Sequence, residues 1–228
     1  MTPPKLTAIL LTYNHCDTVK AALVSILVQK TNFEFHILIL DDCSNDGTSD
    51  TCAAYAKEHP SQVFHIRQPS NLGAVKNFRF GLNKITSPYI AFLEGDDYWT
   101  DEQKLQIMID AMDDHPECII GGHDTRGINR RKNKEWLFVD KKCNGENIQI
   151  FSGPPAPFGT HPSSRIYRNH DCLRTLPENL LLDSHIYRHF LMLGKGLYIN
   201  REMSVFNSTG KGFWSGRKRV DRKILTIN

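Results

Sequence analysis

The first half of the chain alternates short apolar runs with segments of helical periodicity, and this alternation restricts the fold more than any other feature. Apolar or alternating runs predict five strands, at residues 5–12, 35–40, 63–68, 89–93 and 118–122. Apolar residues spaced three or four apart predict helices between them, at residues 19–27, 75–85 and 105–112. Strands that alternate with helices through short connections are typical of an α/β fold with a mostly parallel sheet flanked by helices.

The second half carries weaker signals. Residues 125–145 are polar, and residues 153–157 combine Gly with Pro, so both segments are predicted to be loops. Apolar spacing near residues 186–193 predicts a further helix, and residues 196–205 predict one or two short strands.

Composition and charge exclude several classes of protein. The 228 residues are 40% hydrophobic, enough for one sizeable core, and 28 basic against 25 acidic residues are too balanced for a dedicated nucleic-acid binder. Six widely spaced cysteines and an initial apolar run of only six residues, 6–11, favour a cytoplasmic protein without a signal peptide. The basic tail at residues 217–223 is interpreted as a solvated end or as a peripheral contact with the inner face of a membrane.

Polar residues collect where the predicted strands end, and ligands bind at the carboxyl ends of strands in open parallel sheets. These residues lie at 12–14, 41–48 and 94–97. No glycine-rich dinucleotide loop or P-loop motif occurs, so dehydrogenase and P-loop nucleotide-binding folds lose their main support.

Two helix starts are predicted from local hydrogen-bonding residues. Thr100 and Gln103 have the spacing of a capping box, and Ser44 with Asp46 predict caps for the helix that follows the second strand. Residues 42–53 also resemble part of an EF-hand loop, but position twelve falls on Ala53 where a Glu is required, which excludes that interpretation.

Glu94, Asp96 and Asp97 form the most informative polar cluster. Three carboxylates within four residues raise one another's pKa unless a cation lies among them, and a divalent metal is the simplest cation. A solvated acidic turn is the alternative. Lys76, after the third strand, is similarly interpreted either as a phosphate contact or as an ordinary exposed lysine.

In their order along the chain, these segments resemble the motifs of the inverting nucleotide-sugar glycosyltransferases of family 2, which have the GT-A fold. The matching residues are Leu11-Thr12-Tyr13-Asn14, Leu40-Asp41-Asp42-Cys43-Ser44-Asn45-Asp46-Gly47-Thr48, Asn71-Leu72-Gly73 with Lys76-Asn77, and Glu94-Gly95-Asp96-Asp97-Tyr98-Trp99. The resemblance is strong over the first half and resumes weakly at residues 182–184 and 204–215. It implies one domain over residues 1–228, with a nucleotide-sugar-binding half at 1–124 and an acceptor-binding half at 125–228.

The resemblance also implies a donor site and its cofactor. The residues implied to bind the nucleotide are Thr12, Tyr13, Asn14, Asp42, Asn71, Lys76 and Asp96. Thr12 and Tyr13 border the base, Asp42 binds the base or its ribose, and Lys76 meets the diphosphate. Asp97 is implied to be the direct ligand of Mn²⁺ or Mg²⁺, the cofactor that bridges the two phosphates.

In the second half, the family's general base is an acidic residue just before a helix, and Asp183 matches it. Judged from the residues alone, Asp183 has the alternative role of capping that helix. Weaker candidates for the base are Asp171, Glu178 and His185. His161 and Trp99 are assigned to the acceptor site.

The implied activity is metal-assisted transfer of a sugar, with inversion, from a nucleoside-diphosphate donor to a glycan or lipid-linked acceptor in bacterial surface-polysaccharide synthesis. A nucleotide-sugar-binding protein without transfer activity is one alternative, and a sugar-nucleotide pyrophosphorylase is another. The pyrophosphorylase needs a glycine-rich loop near the first strand, and residues 12–17 contain no glycine. Residues 206–209 also depart from the Tyr-Arg-x-His run of many relatives.

Overall fold

A single mixed sheet organises the chain. The computed structural model describes residues 3–139, 147–153, 159–175 and 184–208. The strands are β1 (Leu6–Thr12), β2 (Phe35–Asp41), β3 (Val63–Arg67), β4 (Tyr89–Glu94), β5 (Tyr98–Trp99), β6 (Cys118–Asn129), β7 (Lys134–Leu137), β8 (Ile148–Ser152), β9 (Ile166–Arg168) and β10 (Lys195–Asn207). The helices are α1 (Val19–Leu27), α2 (Thr48–Glu58), α3 (Ala74–Leu82), α4 (Lys104–Asp114), α5 (Cys172–Thr175) and α6 (Ser184–Leu193).

The order of the strands explains where a ligand would bind. The sheet runs β3-β2-β1-β4-β9-β6-β10-β5, with β7 paired to β6 and β8 paired to β10. β1 is parallel to both β2 and β4, and β2 is parallel to β3. The chain therefore places β2 and β3 on one side of β1 first, and later places β4 on the other side. Such a switch in direction opens a crevice at the carboxyl ends of the strands.

The first-half strands are buried on both faces because helices cover both. Every residue of β1 is buried. Leu10 packs in a cluster with Leu23 of α1, and its neighbour Ile9 packs on the opposite face with Phe78 of α3. This two-sided burial explains why these strands appear in the sequence as nearly continuous apolar runs. The predicted α/β fold with a parallel core is confirmed.

The predicted capping box at the start of α4 was wrong, although the helix begins within one residue of the predicted position. The helix begins at Lys104, and the preceding residue, Gln103, makes no side-chain cap. The Leu105 N–H instead donates to Oε1 of Gln29, at 3.0 Å, and Gln29 lies 76 positions away in the sequence. A capping-box pattern cannot reveal a cap that a distant residue supplies.

The first predicted loop of the second half, at residues 125–145, contains strands. Residues 125–129 continue β6, and a 3₁₀ turn at Arg130–Lys132 leads into β7, so a hairpin stands where a loop was expected. The predicted short strands at 196–205 are one strand of 13 residues, β10, irregular near Glu202. The predicted helix is confirmed as α6.

Several predicted features fall outside the described residues. These are most of the second loop, the residue Asp183 and the basic tail at 217–223. Within the described part of the chain, no helix combines the length and the apolar character that crossing a bilayer requires.

Candidate active site

The three acidic residues lie together where β4 ends. The Gly95 N–H donates to the Leu11 carbonyl at 2.8 Å, and the Asp97 N–H donates to the Glu94 carbonyl at 3.0 Å, which closes a tight turn. Glu94, Asp96 and Asp97 each present a carboxylate oxygen, and these oxygens all lie within 4.8 Å of one another. The turn therefore concentrates negative charge beside the carboxyl end of β1.

Asp97 is the most buried member of this acidic cluster. Its side chain is 0% exposed, and Oδ1 accepts the Asn207 N–H at 2.9 Å. The other oxygen, Oδ2, has no hydrogen-bond partner among the described residues. Burial raises the pKa of Asp97 well above its usual value, and the nearby charges of Asp96 and Glu94 raise it further. A buried oxygen without a donor, surrounded by carboxylates, fits the hard-oxygen ligand set of Mg²⁺ or Mn²⁺.

The histidine beside Asp97 does not offset its charge. Nδ1 of His161 lies 3.7 Å from Oδ2 of Asp97 and accepts the Ser163 N–H at 3.3 Å. Burial lowers the pKa of His161 to about 3, helped by the positive charge of Arg165, so the imidazole is neutral near pH 7. His161 therefore adds no positive charge to the acidic cluster near pH 7.

His15 belongs to the site although the sequence analysis did not select it. A Cβ atom placed on Gly95 would lie 2.6 Å from Nδ1 of His15 and 2.7 Å from Oγ1 of Thr12, so only glycine fits this approach. Burial lowers the pKa of His15, while the charges of Asp96 and Asp46 raise it. The sequence signal that could have identified His15 is its position directly after Asn14, in the polar segment that follows β1.

The segment after β1 also organises the loop after β2. Asn14 has a left-handed backbone with φ of 54°, and its side-chain oxygen accepts the Asn45 N–H at 3.0 Å. The Asn14 N–H donates to Oγ of Ser44 at 2.9 Å, so Ser44 holds Asn14 and does not make the predicted helix cap. Thr12 is buried, whereas Tyr13 is 44% exposed and presents its ring to solvent.

Asp46 makes the predicted contact at the start of α2. Its Oδ1 accepts the Thr48 N–H at 3.1 Å, and its Oδ2 accepts the Cys16 N–H at 3.0 Å. Burial would raise the pKa of Asp46, but these hydrogen bonds and one from the Thr48 hydroxyl outweigh it and lower the pKa to about 2. Asp46 is therefore ionised and joins the loops that follow β1 and β2.

The two aspartates at the end of β2 have separate partners. Oδ1 of Asp42 accepts the Leu72 N–H and Oδ2 accepts the Gly73 N–H, both at 2.8 Å. Asp41 accepts the Ser44 N–H at 2.9 Å and the Ser49 hydroxyl at 2.5 Å. Asp42 thus fixes the turn that leads into α3, while Asp41 supports the loop of its own strand.

The turn held by Asp42 carries two further predicted residues. Oδ1 of Asn71 accepts the Gly73 N–H at 3.1 Å, and Gly73 has φ of 82°, a backbone conformation that favours glycine. Lys76 follows in the first turn of α3 and is exposed. The predicted nucleotide contacts therefore lie on neighbouring loops, after β1, β2, β3 and β4.

Most of the sequence matches a known protein family. Residues 7–171 match the model of the family described as Glycosyl transferase family 2. The chain belongs to this family. The conclusion rests on most of the chain and agrees with the motifs at the strand ends.

Two similar proteins are longer than this chain. The uncharacterized protein Rv1520 of Mycobacterium tuberculosis is 26% identical over 215 residues, which cover 94% of this chain and 62% of that protein. The S. aureus TarS 1–349 structure in complex with UDP-GlcNAc superposes with a TM-score of 0.73 at 17% identity, covering 98% of this chain and 64% of that one. This chain therefore spans about three fifths of the length of either protein.

Another similar structure holds Mn²⁺. The mannosyltransferase PcManGT from Pyrobaculum calidifontis, in complex with GDP-Man and Mn²⁺, superposes with a TM-score of 0.70 at 16% identity. The match covers 100% of this chain and 63% of that one. At such low identities these likenesses show the fold, and they confirm the GT-A fold predicted from the sequence.

The structure shows the surroundings of Trp99 and His161, the two residues assigned to the acceptor. Trp99 is only 4% exposed, its indole N–H donates to the Ser163 carbonyl at 2.8 Å, and Nζ of Lys104 lies 3.9 Å from the ring centroid. The assignment of Trp99 to the acceptor site stays a prediction; its side chain is buried where β5 pairs with β10. His161, which contacts Asp97, does lie at the site.

The predicted general base lies outside the described residues. Asp183 directly precedes Ser184, the first residue of α6. Ile186 and Phe190 of α6 are buried in the core, so the helix itself is firmly packed against the sheet. Neither the catalytic role of Asp183 nor its alternative role as a cap is tested by these contacts.

Asn77 anchors α3 beneath the donor side of the site. It is 1% exposed, its side-chain oxygen accepts from Nε2 of Gln68 at 2.9 Å, and its Nδ2 donates to the Leu40 carbonyl at 3.0 Å. We expect Asn77→Ala to lower the free energy of unfolding in urea by about 1–3 kcal/mol, because it leaves buried polar groups without partners. Asn83→Ala, at an exposed position at the end of the same helix, is the control and should change it by less than about 0.5 kcal/mol. Equal losses in both variants would contradict the anchoring role.

Proposed function

We propose that this family 2 domain transfers a sugar, with inversion, from a nucleoside-diphosphate donor to a glycan or lipid-linked acceptor, assisted by Mn²⁺ or Mg²⁺. The observation that carries the proposal is the buried Oδ2 of Asp97, which has no hydrogen-bond partner among the described residues and lies among three carboxylates. A phosphate-bound divalent cation is the partner that such a cluster requires. The Mn²⁺ and GDP-Man in the similar PcManGT structure support this choice of cofactor and donor class.

Each group of residues has a role in this reaction. Glu94, Asp96 and Asp97 would hold the metal, which when bound stabilises negative charge on the departing diphosphate. On the donor side, the exposed ring of Tyr13 borders the nucleotide base, and Lys76 meets the diphosphate. The remaining donor contacts are proposed for Thr12, Asn14, Asp42 and Asn71, whose hydrogen bonds also shape the neighbouring loops.

The acceptor reacts on the other side of the acidic cluster. Its hydroxyl oxygen forms a bond with the anomeric carbon while the bond from that carbon to the diphosphate oxygen breaks. The hydroxyl proton passes to a carboxylate, which we assign to Asp183. His161 borders the acceptor, because it packs against Phe206 and lies beside Asp97. Attack from the side opposite the leaving group inverts the anomeric configuration.

A panel of nucleotide sugars tests the proposal. We expect one donor to be hydrolysed slowly when Mn²⁺ or Mg²⁺ is supplied and no acceptor is present, and we expect EDTA to abolish this hydrolysis. Tight binding of a nucleoside diphosphate without hydrolysis or transfer of any sugar would instead support a binding protein. Formation of a nucleotide sugar from a nucleoside triphosphate and a sugar phosphate would support a pyrophosphorylase.

Gly95 gives a more local test of the donor site. We expect Gly95→Ala to raise the Kd of the nucleoside diphosphate, measured with Mn²⁺ by calorimetry, by about tenfold, because the added methyl displaces Thr12 and His15. Gly159→Ala is the matched control, since a Cβ there meets no atom of the described residues within 4 Å. Unchanged affinity in Gly95→Ala would show that the nucleotide does not depend on this turn.

A further inference from the structure

The hairpin formed by β6 and β7 ends in a concentrated positive charge. Its tip carries four basic residues, Arg130, Arg131, Lys132 and Lys134, here called the basic tip, and all four are exposed. The turn has a defined shape, because the side chain of Asn129 accepts the Lys132 N–H at 3.0 Å and Asn133 has φ of 45°. The four charges are therefore presented by a formed turn at the end of two strands.

No acidic residue neutralises the basic tip in the described part of the chain. None of its four side chains takes part in an ion pair there. The adjacent carboxylate, Glu135, pairs with Arg126 at 3.1 Å, and Arg126 also makes two hydrogen bonds to Glu202, at 2.8 and 2.7 Å. Four uncompensated cations within five residues create a strong local attraction for anions.

The register of the sheet places the basic tip beyond the acidic cluster. β6 and β10 are parallel, with Ile128 opposite Asn207, and the Asn207 N–H donates to Asp97. The Ser208 N–H continues this pairing by donating to the Ile128 carbonyl at 2.8 Å. At about 3.3 Å per residue, Arg130 begins roughly 7 Å further along than Ile128. The tip therefore projects past the point where Asp97 is held.

This position separates the basic tip from the donor side. Asp42 and Lys76 follow β2 and β3, which lie at one edge of the sheet, whereas β6 and β10 lie on the other side of β4. The acidic cluster after β4 stands between these two groups of strands. A phosphate of the donor would meet Lys76 and the proposed cation, so the strand order favours the other substrate as the source of an anion at the basic tip.

Half-buried aromatic side chains connect the basic tip with the site. The ring centroids of Phe138 and Phe206 lie 4.8 and 4.7 Å from that of His161. The ring centroid of Trp136 lies 6.2 Å from that of Phe206. Trp136 covers Gly127, where a Cβ would lie 2.1 Å from the indole. A partly exposed aromatic surface thus extends from His161 toward the base of the hairpin, and it can support the apolar faces of a bound molecule.

We propose that the basic tip binds a phosphate group carried by the acceptor, at a distance from the hydroxyl that receives the sugar. Arginine presents a planar fork that matches phosphate oxygens in a bidentate contact, and lysine adds charge. The phosphate belongs either to a soluble phosphodiester chain or to a lipid headgroup, since the chemistry at the tip is the same. This inference rests on the proposed function, because it assigns the substrate class of the same site.

The test compares two variants that each lose two positive charges. Arg131→Gln/Lys132→Gln removes charge from the basic tip, and Lys20→Gln/Lys57→Gln removes it from exposed positions on α1 and α2. Binding is measured to a synthetic glycerol phosphate oligomer, and separately to vesicles of phosphatidylglycerol mixed with phosphatidylcholine in equal parts. A neutral oligosaccharide and pure phosphatidylcholine vesicles are the uncharged probes.

We expect the tip variant to bind at least one anionic probe about tenfold more weakly than the wild type, and the control variant to bind it within about twofold of the wild type. Tip-dependent binding of the oligomer identifies a soluble phosphodiester source, and tip-dependent binding of the vesicles alone identifies a lipid headgroup. Equal binding by the tip and control variants, or no binding of either anionic probe by the wild type, overturns the proposal.

Donor hydrolysis separates this inference from the proposed function. The tip variant should hydrolyse the donor at the wild-type rate, because its changed residues lie outside the acidic cluster. Loss of anion binding with normal hydrolysis therefore supports the tip as an acceptor subsite. If the wild type hydrolyses no donor, the proposed function fails, while the binding comparison still decides whether the tip holds a phosphate.

Discussion

Asp183→Asn is expected to lower the turnover of sugar transfer by about 10²–10⁴-fold, which corresponds to about 3–5 kcal/mol of lost transition-state stabilisation. The amide keeps the size of the side chain but cannot accept the proton of the acceptor hydroxyl. Donor binding should be unchanged, because the residues proposed to bind the donor lie after β1, β2, β3 and β4. Initial rates of transfer and calorimetric titration of the nucleoside diphosphate measure the two effects separately.

The matched control for this variant is Asp171→Asn. The Asp171 side chain is 97% exposed and lies 3.8 Å from Arg174, so the same chemical change there should leave turnover within about twofold of the wild type. A fully active Asp183→Asn enzyme would remove Asp183 as the base. Loss of turnover in Asp171→Asn would move the role to that weaker candidate.

Asp97→Asn is expected to weaken metal-dependent binding of the nucleoside diphosphate by about 10²-fold or more. Even indirect changes around metal ligands commonly cost 10–100-fold in affinity, and this change replaces a proposed direct ligand. Titration with Mn²⁺ and with EDTA measures the difference. Asp110→Asn, on the exposed face of α4, is the control and should bind as the wild type does. Equal Mn²⁺-dependent affinities in Asp97→Asn and the wild type would contradict the proposed metal site.

The same substitution should stabilise the metal-free protein. Burial together with Asp96 and Glu94 raises the pKa of Asp97 in the folded state. As pH rises above the ordinary aspartate pKa, the unfolded chain releases this proton first, so the folded state loses stability until the raised pKa is passed. Asparagine has no such proton. The Tm of Asp97→Asn without metal should therefore exceed that of the wild type near pH 8, and the gap should shrink toward pH 4.

The first half of the fold was predictable because its signals are local. β1 and β4 were predicted within one residue of their bounds, since a strand buried on both faces appears as a continuous apolar run. The cap of α4 was not predictable, because it comes from Gln29 in another part of the chain. The β6–β7 hairpin was missed for a similar reason: β6 is stabilised by pairing with β10, which follows much later in the sequence.

The acidic cluster was also predictable, because its three carboxylates are neighbours in the sequence. Its partners were not. Asn207 reaches Asp97 because β10 pairs with β5, which directly follows the acidic turn, and His15 approaches Gly95 because β1 and β4 are paired. Trp99 was assigned to the acceptor site from its place in a motif. Its burial follows from pairing with β10, which no local pattern displays.

The sequence by itself therefore determined the α/β class, the family and the set of polar residues at the strand ends, because period and motif are properties of neighbouring residues. Only the tertiary structure decided which of these residues meet. It left Oδ2 of Asp97 buried without a donor in the described part of the chain, and it set the basic tip beyond the acidic cluster. Burial and register depend on contacts between distant segments, so they decide the charge at the site and the side from which each substrate is expected to enter.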